Sequence, residues 1–457
     1  MIINEPQIAA SLEKRIQEDP QHIQAILTKA LELQGLDYDD VAALTLIRDP
    51  DLTQELFHTA EQIKDIIYGK RLVIFAPLYI SNFCSNDCAY CAFRQTNLSL
   101  IRRALTQAEI ANETTNLINQ GHKRALLVAG EDQTPDSFEY ILESIRTIYK
   151  VKNQHGEIRR LNVNIAPLTT EEFRRLKSEN IGTYQLFQET YHRKTYQQVH
   201  LSGKKSDYDL RLTAIDRAME AGIDDVGIGA LFGLADWRFE LLALIQHAKH
   251  LDKTYQVGSH TISVPRLEPA VGSEISSKPP HPVNDEDFAK IIAILRLAVP
   301  YTGIILSTRE TPEMRRIALA LGVSQISAGS RTNPGGYAKQ EKNASQFSLG
   351  DHRSLDEVIA DVASLGYIPS FCTACYRLQR TGHDFMNLAK PGKIKDMCLP
   401  NAITTFAEYL SDYASDITKN IGEKLITKEI SLMSPDQQHL TKNLLQKIKN
   451  GKRDVFV

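Results

Sequence analysis

No run of apolar residues approaches the ~18 that a membrane-crossing helix needs. The opening residues, Met-Ile-Ile-Asn-Glu-Pro, also lack a basic stretch followed by an apolar one, so the cytoplasm is the expected compartment and no membrane contact is expected. An excess of positive charge is missing too. The 53 Lys and Arg stand against 56 Asp and Glu, a net charge of −3, which argues against a nucleic-acid partner. Cysteine is scarce, with six in 457 residues, and all six fall in two groups: Cys84, Cys88 and Cys91, then Cys372, Cys375 and Cys398. In a long chain without an expected secretion signal, such clustering argues against a disulfide framework and for metal ligation. Internal repeats and low-complexity stretches are likewise missing.

What is present is a globular composition, 42% hydrophobic and 24% charged. The length exceeds what one core usually supports, so a large domain with flanking elaborations is expected. Residues 1–70 read as amphipathic helices. From residue 71 an alternation of strand and helix begins, with strands expected at 72–80, 124–128, 161–165, 183–187, 225–228, 260–264, 303–306 and 324–327. Helical stretches from 107–119 to 355–365 separate and follow them. Eight alternations predict an α/β fold, a complete (β/α)8 barrel at 71–366, with chemistry on the loops after the strands. Residues 367–457 read as a mainly helical extension that carries the second cysteine group. Its lysines are interleaved with acids, which favours a solvated surface over a basic binding patch.

Cys84, Cys88 and Cys91 have C-x3-C-x2-C spacing after the first strand. A cubane iron–sulfur cluster normally takes four protein ligands. Three close thiolates therefore suggest a [4Fe–4S] cluster with one open iron, the other reading being a chance triplet. The spacing, with Tyr90 before the third cysteine, resembles that of the radical S-adenosylmethionine (SAM) enzymes. Ala129-Gly130-Glu131-Asp132 after strand two resembles their Gly-Gly-Glu motif, with alanine in first place and the carboxylate kept. The resemblance assigns Glu131 to the SAM ammonium and implies Tyr90, Gly130, Glu189, Arg211 and Ile228 as further SAM contacts. Glu189 belongs to Gln188-Glu-Thr-Tyr191 after strand four, and Ile228 to Gly227-Ile-Gly-Ala230 after strand five.

Two later strand ends carry hydroxyls around an arginine: Ser307-Thr308-Arg309-Glu310 and Ser327-Ala-Gly-Ser330-Arg331-Thr332. A guanidinium fork matches two carboxylate oxygens, so Ser307, Thr308, Arg309, Ser327, Ser330 and Arg331 are candidates for holding an amino acid substrate. The competing reading is a structural salt bridge between Arg309 and Glu310. The second cysteine group, C-x2-C-x22-C, again offers three thiolates. It is either an auxiliary cluster with an open iron or, with His383, a Cys3His zinc site.

Taken in order from about residue 71 to 401, these motifs resemble the HydG family of [FeFe]-hydrogenase maturases, radical SAM tyrosine lyases. The thiazole-biosynthesis tyrosine lyase ThiH shares the barrel motifs and lacks the C-terminal cysteines. The resemblance implies that an adenosyl radical abstracts a hydrogen from the amino group of L-tyrosine, and that Cα–Cβ scission gives p-cresol and dehydroglycine. Dehydroglycine then becomes CO and cyanide on an auxiliary [4Fe–4S]/[5Fe–5S] cluster with a labile iron and a free cysteine. The product is an Fe(CO)(CN) synthon for the hydrogenase H-cluster. A one-electron reductant such as flavodoxin or ferredoxin, and the other hydrogenase maturases, are the implied partners. If the two clusters sit at opposite barrel ends, the histidine on the labile iron should lie at a strand's start. His260 is the candidate and His250 the next, against a core role for His260. An internal channel for dehydroglycine follows from the same geometry. The rival functions are a lyase supplying thiazole synthesis and an iron–sulfur scaffold or carrier without radical chemistry.

Overall fold

The computed structural model describes all residues except 1, 14–18, 133, 340–343, 379 and 390–393. Eight parallel strands form a closed ring: β1 (Arg71–Ser81), β2 (Arg124–Ala129), β3 (Arg160–Asn164), β4 (Tyr184–Gln185), β5 (Val226–Gly229), β6 (Thr261–Ser263), β7 (Gly303–Leu306) and β8 (Gln325–Ser327). Each pairs with the next, and β8 returns to β1 with Val73 opposite Gln325 and Phe75 opposite Ser327. The expected (β/α)8 barrel is therefore what the chain forms. A ninth strand, β9 (Ile368–Ser370), adds to the start of β1 with Arg71 opposite Ile368.

The two-residue period of a strand divides β1 between two environments. Leu72, Ile74, Ala76, Leu78 and Ile80 are fully buried in the core between barrel and helices. Val73, Phe75, Pro77 and Tyr79 face the bore. The helices that cover the barrel start where the sequence supplies caps. Thr106 with Glu109, Thr169 with Glu172 and Ser354 with Glu357 form reciprocal capping boxes on helices Gln107–Asn119, Thr170–Ser178 and Leu355–Ser364. Ahead of the barrel, helix Pro50–Ile67 is capped by Asp49 and packs its Leu52, Leu56 and Ile63 face against helix Asp285–Ala298. After it, helix Ile394–Asp412 packs on β9, and helices Asp416–Ser431 and Pro435–Lys449 pack on that helix in turn. No helix among the described residues is long and apolar enough to cross a membrane.

Inside the barrel, two inward glycines stand beside polar side chains. A Cβ on Gly227 would lie 2.5 Å from Thr261 Oγ1 and 2.9 Å from Gln185 Cγ, and one on Gly303 would lie 2.9 Å from Gln325 Nε2. Glycine at these inward positions leaves room for the polar side chains. A cavity opens at each end of the barrel.

Candidate active site and second cavity

The first cavity lies at the carboxyl ends of the strands and, with its mouth, holds about 1430 Å3. β1 enters it through a register shift between Tyr79 and Ser81, which turns the strand into the cysteine loop. The loop is pinned by Asn82 N to Arg103 O (3.0 Å), Gln95 N to Asn86 O (2.8 Å) and the Arg102 guanidinium on the carbonyls of Asn82 and Phe93. Cys84, Cys88 and Cys91 all line this cavity and none is in a disulfide. Burial pushes all three thiols up, Cys84 to about 11, so their protons leave when a metal takes their place.

Beside the thiols stand two buried cations and two partly buried carboxylates. Arg211 Nη1 is 2.9 Å from Glu131 Oε1, and Lys205 Nζ is 2.8 Å from Glu189 Oε1. Lys205 also lies 3.7 Å from Glu131, and Arg211 3.8 Å from Glu189. Burial acts to raise the Glu131 carboxyl, but Arg211 and Lys205 outweigh it and hold the group below the usual carboxylate range. Asn86 Nδ2 donates to its other oxygen at 2.9 Å. Glu189 sits at φ 70°, a left-handed conformation rare for glutamate. Its neighbours hold it there, since the Thr190 hydroxyl and the Tyr191 amide both donate to Glu240. At Gly130 the chain passes so close to the cysteine loop that a Cβ would fall 2.2 Å from Phe83 O. Tyr90 lines the cavity and meets His200 Nε2 at 2.9 Å, while His200 Nδ1 meets the Tyr196 carbonyl. Nδ1 therefore carries the proton, and Tyr90 donates to Nε2.

Ser307, Thr308, Arg309 and Ser327 also line the first cavity. The Arg309 guanidinium lies 3.3 Å over the Phe347 ring and meets no carboxylate or carbonyl among the described residues. The salt bridge to Glu310 does not form, because Glu310 takes both Nε and Nη2 of Arg266. Arg309 is thus a cation lining the cavity with no side-chain hydrogen-bond acceptor among the described residues.

The second cavity lies at the opposite end of the barrel and, with its mouth, holds about 610 Å3. Cys372, Cys375, Cys398 and His260 all line it, with Arg71, Arg124 and Arg380. Cys375 and Cys398 share a hydrogen bond, which, with Arg71 and Arg380 nearby, favours the thiolate at Cys398. Burial, with Arg124, Arg160 and Arg71 behind it, keeps His260 neutral, the metal-binding form of imidazole. Its Nε2 is 3.3 Å from the Tyr376 hydroxyl, and its ring meets Phe385 edge-on at 4.8 Å. Arg71 Nε and Arg124 Nε are buried with no hydrogen-bond partner among the described residues. Successive inward residues of four strands line the second cavity and then the first: Val73 and Phe75, Arg124 and Leu126, Gly303 and Ile305, Gln325 and Ser327. One layer of side chains separates the two.

The chain matches the Radical SAM superfamily over residues 78–243 and the Biotin and Thiamin Synthesis associated domain over 263–368. The 2-iminoacetate synthases of Salmonella typhimurium and Escherichia coli are 33% and 34% identical to it, over 76% of this chain and 89% of theirs. A crystal structure of HydG, a maturase of the [FeFe]-hydrogenase, covers 100% of both chains at 48% identity with a TM-score of 0.96. The FeFe-hydrogenase maturase HydG from Carboxydothermus hydrogenoformans matches 96% of this chain and 97% of its own at 41% identity, with a TM-score of 0.85. The chain belongs to the HydG family.

A HydG-family chain is a radical SAM enzyme, and that superfamily implies a [4Fe–4S] cluster, SAM, a small-molecule substrate and a reductant. The first cavity fits those groups: it offers three thiols in no disulfide, a carboxylate for an ammonium, and cations for a carboxylate. Among the described residues no three His, Cys, Asp or Glu side chains converge on a point that suits a single metal ion. A cubane instead takes one thiolate per iron, and so needs its thiols spread around it.

Several expected residues stand elsewhere. Ile228 is fully buried in the main core and does not line the cavity. The strand's period turns Gly227 and Gly229 inward and Ile228 outward, so any contact there comes from backbone. Ser330 and Arg331 are also absent from the lining; Arg331 Nη1 turns back to the Ser330 carbonyl at 2.9 Å. His250 is held by Asp216 at 2.6 Å, away from the second cavity, and His383 is exposed and outside its lining. Sequence reasoning missed Lys205, the second cation of the four-charge cluster, because a Lys-Lys pair in a loop carries no motif. Arg71 and Arg124 were missed for another reason. Each opens a strand, but only the barrel's closure shows that both point at the C-terminal cysteines.

Proposed function

We propose that the chain cleaves the Cα–Cβ bond of L-tyrosine in the first cavity, releasing p-cresol and dehydroglycine, and converts dehydroglycine in the second cavity to CO and cyanide. These are captured on iron as an Fe(CO)(CN) synthon for the [FeFe]-hydrogenase H-cluster. The observation that carries this reading is the pair of back-to-back cavities, each lined by its own three cysteines, in one barrel. The relatives named 2-iminoacetate synthase support the first half, since 2-iminoacetate and dehydroglycine are one compound.

When bound by Cys84, Cys88 and Cys91, a cubane with SAM supplies a carbon radical on one-electron reduction. The protein's part is to hold, orient and exclude water. Glu131, kept ionised by Arg211, receives the SAM ammonium, with Glu189, Arg211 and Tyr90 around it and the Gly130 backbone close by. Arg309 clamps the tyrosine carboxylate, a free fork in a water-poor site where such bonds are strong, and Ser307, Thr308 and Ser327 complete the contact. Dehydroglycine crosses to the second cavity past the polar side chains of Thr261, Gln185 and Gln325. There Cys372, Cys375 and Cys398 hold an auxiliary [4Fe–4S]/[5Fe–5S] cluster, and His260 and a free cysteine hold its labile iron. Flavodoxin or ferredoxin as electron donor, and the other hydrogenase maturases as partners, complete the proposal.

The test is an anaerobic incubation of iron-reconstituted protein with dithionite, SAM and L-tyrosine, with 5′-deoxyadenosine, p-cresol, CO and cyanide all measured. The proposal expects all four. p-Cresol without CO and cyanide favours a lyase for thiazole synthesis, and a fully iron-loaded sample without SAM cleavage favours a carrier.

A further inference from the structure

We propose that the exposed apolar rim of the cysteine loop is the docking surface of a small acidic one-electron carrier, resting on the reading that Cys84, Cys88 and Cys91 hold a cluster. Leu98 is 95% exposed, Ile101 63% and Phe83 43%, with Leu201 at 58% and Val271 at 49%. Exposed leucines scattered singly need no explanation. Phe83, Leu98 and Ile101 belong to the cysteine loop, and hydrogen bonds tie Leu201 and Val271 to it. Asn82 Nδ2 donates to Ile101 O at 2.8 Å, Asn97 Nδ2 to Val271 O at 2.9 Å, and Leu201 N to Asp87 O at 2.9 Å.

The position suits electron entry. Phe83 directly precedes Cys84, which lines the first cavity, so the exposed rim and the first thiol are neighbours in the chain. The charge of the rim selects the partner. Residues 82–103 carry Arg94, Arg102 and Arg103 against one acid, Asp87. Asp87 is buried and accepts from Thr96, and Arg103 is paired with Glu109. Arg102 donates only to carbonyls, and Arg94 to the Gly272 carbonyl; neither meets a carboxylate among the described residues. Lys204 and Glu274 are exposed charges of opposite sign at the edges. Arg94 and Arg102 are half-buried, and their charges, set beside an apolar centre and met by no carboxylate among the described residues, complement an acidic protein with apolar area around its redox group. The apolar contact removes water from the electron's path, and the charges steer the encounter. One electron leaves the reduced carrier and enters the cluster; no bond forms or breaks and no proton moves.

The experiment compares wild type with the double variant Leu98→Asp and Ile101→Asp, both carrying the full iron complement. Cluster reduction by reduced flavodoxin, and in parallel by a [2Fe–2S] ferredoxin, is followed by anaerobic stopped-flow absorbance over a range of salt. With the better of the two carriers, the variant is expected to slow the second-order rate at least tenfold, and the wild-type rate to fall as salt rises. Reduction by dithionite should be the same in both. Equal carrier rates in wild type and variant, or wild-type rates indifferent to salt, overturn the proposal. A wild type that is dimeric and becomes monomeric in the variant also overturns it, because the rim then covers a second copy of the chain. Failure of dithionite to reduce the wild-type cluster overturns the cluster reading on which the proposal stands.

Discussion

Replacing Arg309 tests the substrate site without disturbing either set of cysteines. Its guanidinium lies flat on Phe347 at 3.3 Å, faces the first cavity and has no protein acceptor among the described residues. Burial holds its pKa below the usual value, with Tyr79 and Glu189 opposing, so the cation is costly until an anion arrives. A hydrogen bond to a charged group contributes roughly 1.5–3 kcal/mol. Arg309→Lys keeps the charge and loses one arm of the fork, which predicts about a 10- to 150-fold rise in the tyrosine KM. Arg309→Gln loses the charge as well and should lose ~3–6 kcal/mol of substrate binding, beyond measurable saturation. The fold should tolerate both. The stacking on Phe347 that is lost is worth about 0.5–1 kcal/mol, offset by no longer burying an unpaired cation. Initial rates of p-cresol formation against tyrosine and against SAM, with a thermal melt of each variant, check this. A tyrosine KM within twofold of wild type, or a large fall in Tm with both KM values rising together, refutes the assignment.

Other perturbations reach different parts of the account. Gly130→Ala places a methyl 2.2 Å from Phe83 O, a backbone clash that only movement of the cysteine loop relieves; iron and sulfide analysis should show the first cluster lost and the second kept. His260→Ala should leave p-cresol formation near wild type while synthon yield falls severalfold or more, and an equal fall in p-cresol would return His260 to a core role. Glu240 reports on the loop that carries Glu189. Burial pushes its carboxyl from 4.5 up to about 7, against hydrogen bonds from Thr190 and Tyr191. The folded pKa is raised, so its stabilising contribution is full below pH 4.5 and is lost as pH rises through about 7, on the order of 3 kcal/mol. Urea midpoints between pH 5 and 8 should fall less steeply in Glu240→Gln than in wild type, and parallel slopes would contradict the assignment.

The barrel was legible because apolar or β-branched runs alternate with helical stretches eight times. Expected and observed strand ends agree within about two residues for most strands, as with 72–80 against Arg71–Ser81. The stretch 183–187 shrank to Tyr184–Gln185 as a regular strand, although Leu186 and Gln188 still donate to the Gly227 and Gly229 carbonyls and carry the pairing on to Glu189. β9 was not legible: it is three residues long with Pro369 at its centre, and only its pairing with β1 makes it a strand. Within the candidate site, residues in spaced motifs could be read, and residues gathered by closure of the ring could not. Glu131 and the cysteines belong to the first kind, Lys205, Arg71 and Arg124 to the second. Ile228 shows a third limit. A motif names a position, but the parity of the strand decides whether its side chain faces the bore. His260 was reached by polarity, since a residue that opens a parallel barrel strand must lie at the end opposite the cysteine loop.

In the proposed function one molecule is cut in the first cavity and its smaller fragment is remade in the second. The most direct measurement is the ratio of CO and cyanide to p-cresol in wild type and in Cys372→Ala, under anaerobic turnover with uniformly 13C-labelled tyrosine. The account predicts labelled CO and cyanide in amounts approaching that of p-cresol in wild type, and p-cresol with neither labelled product in the variant. Labelled CO and cyanide persisting in Cys372→Ala, or p-cresol vanishing with them, would contradict it.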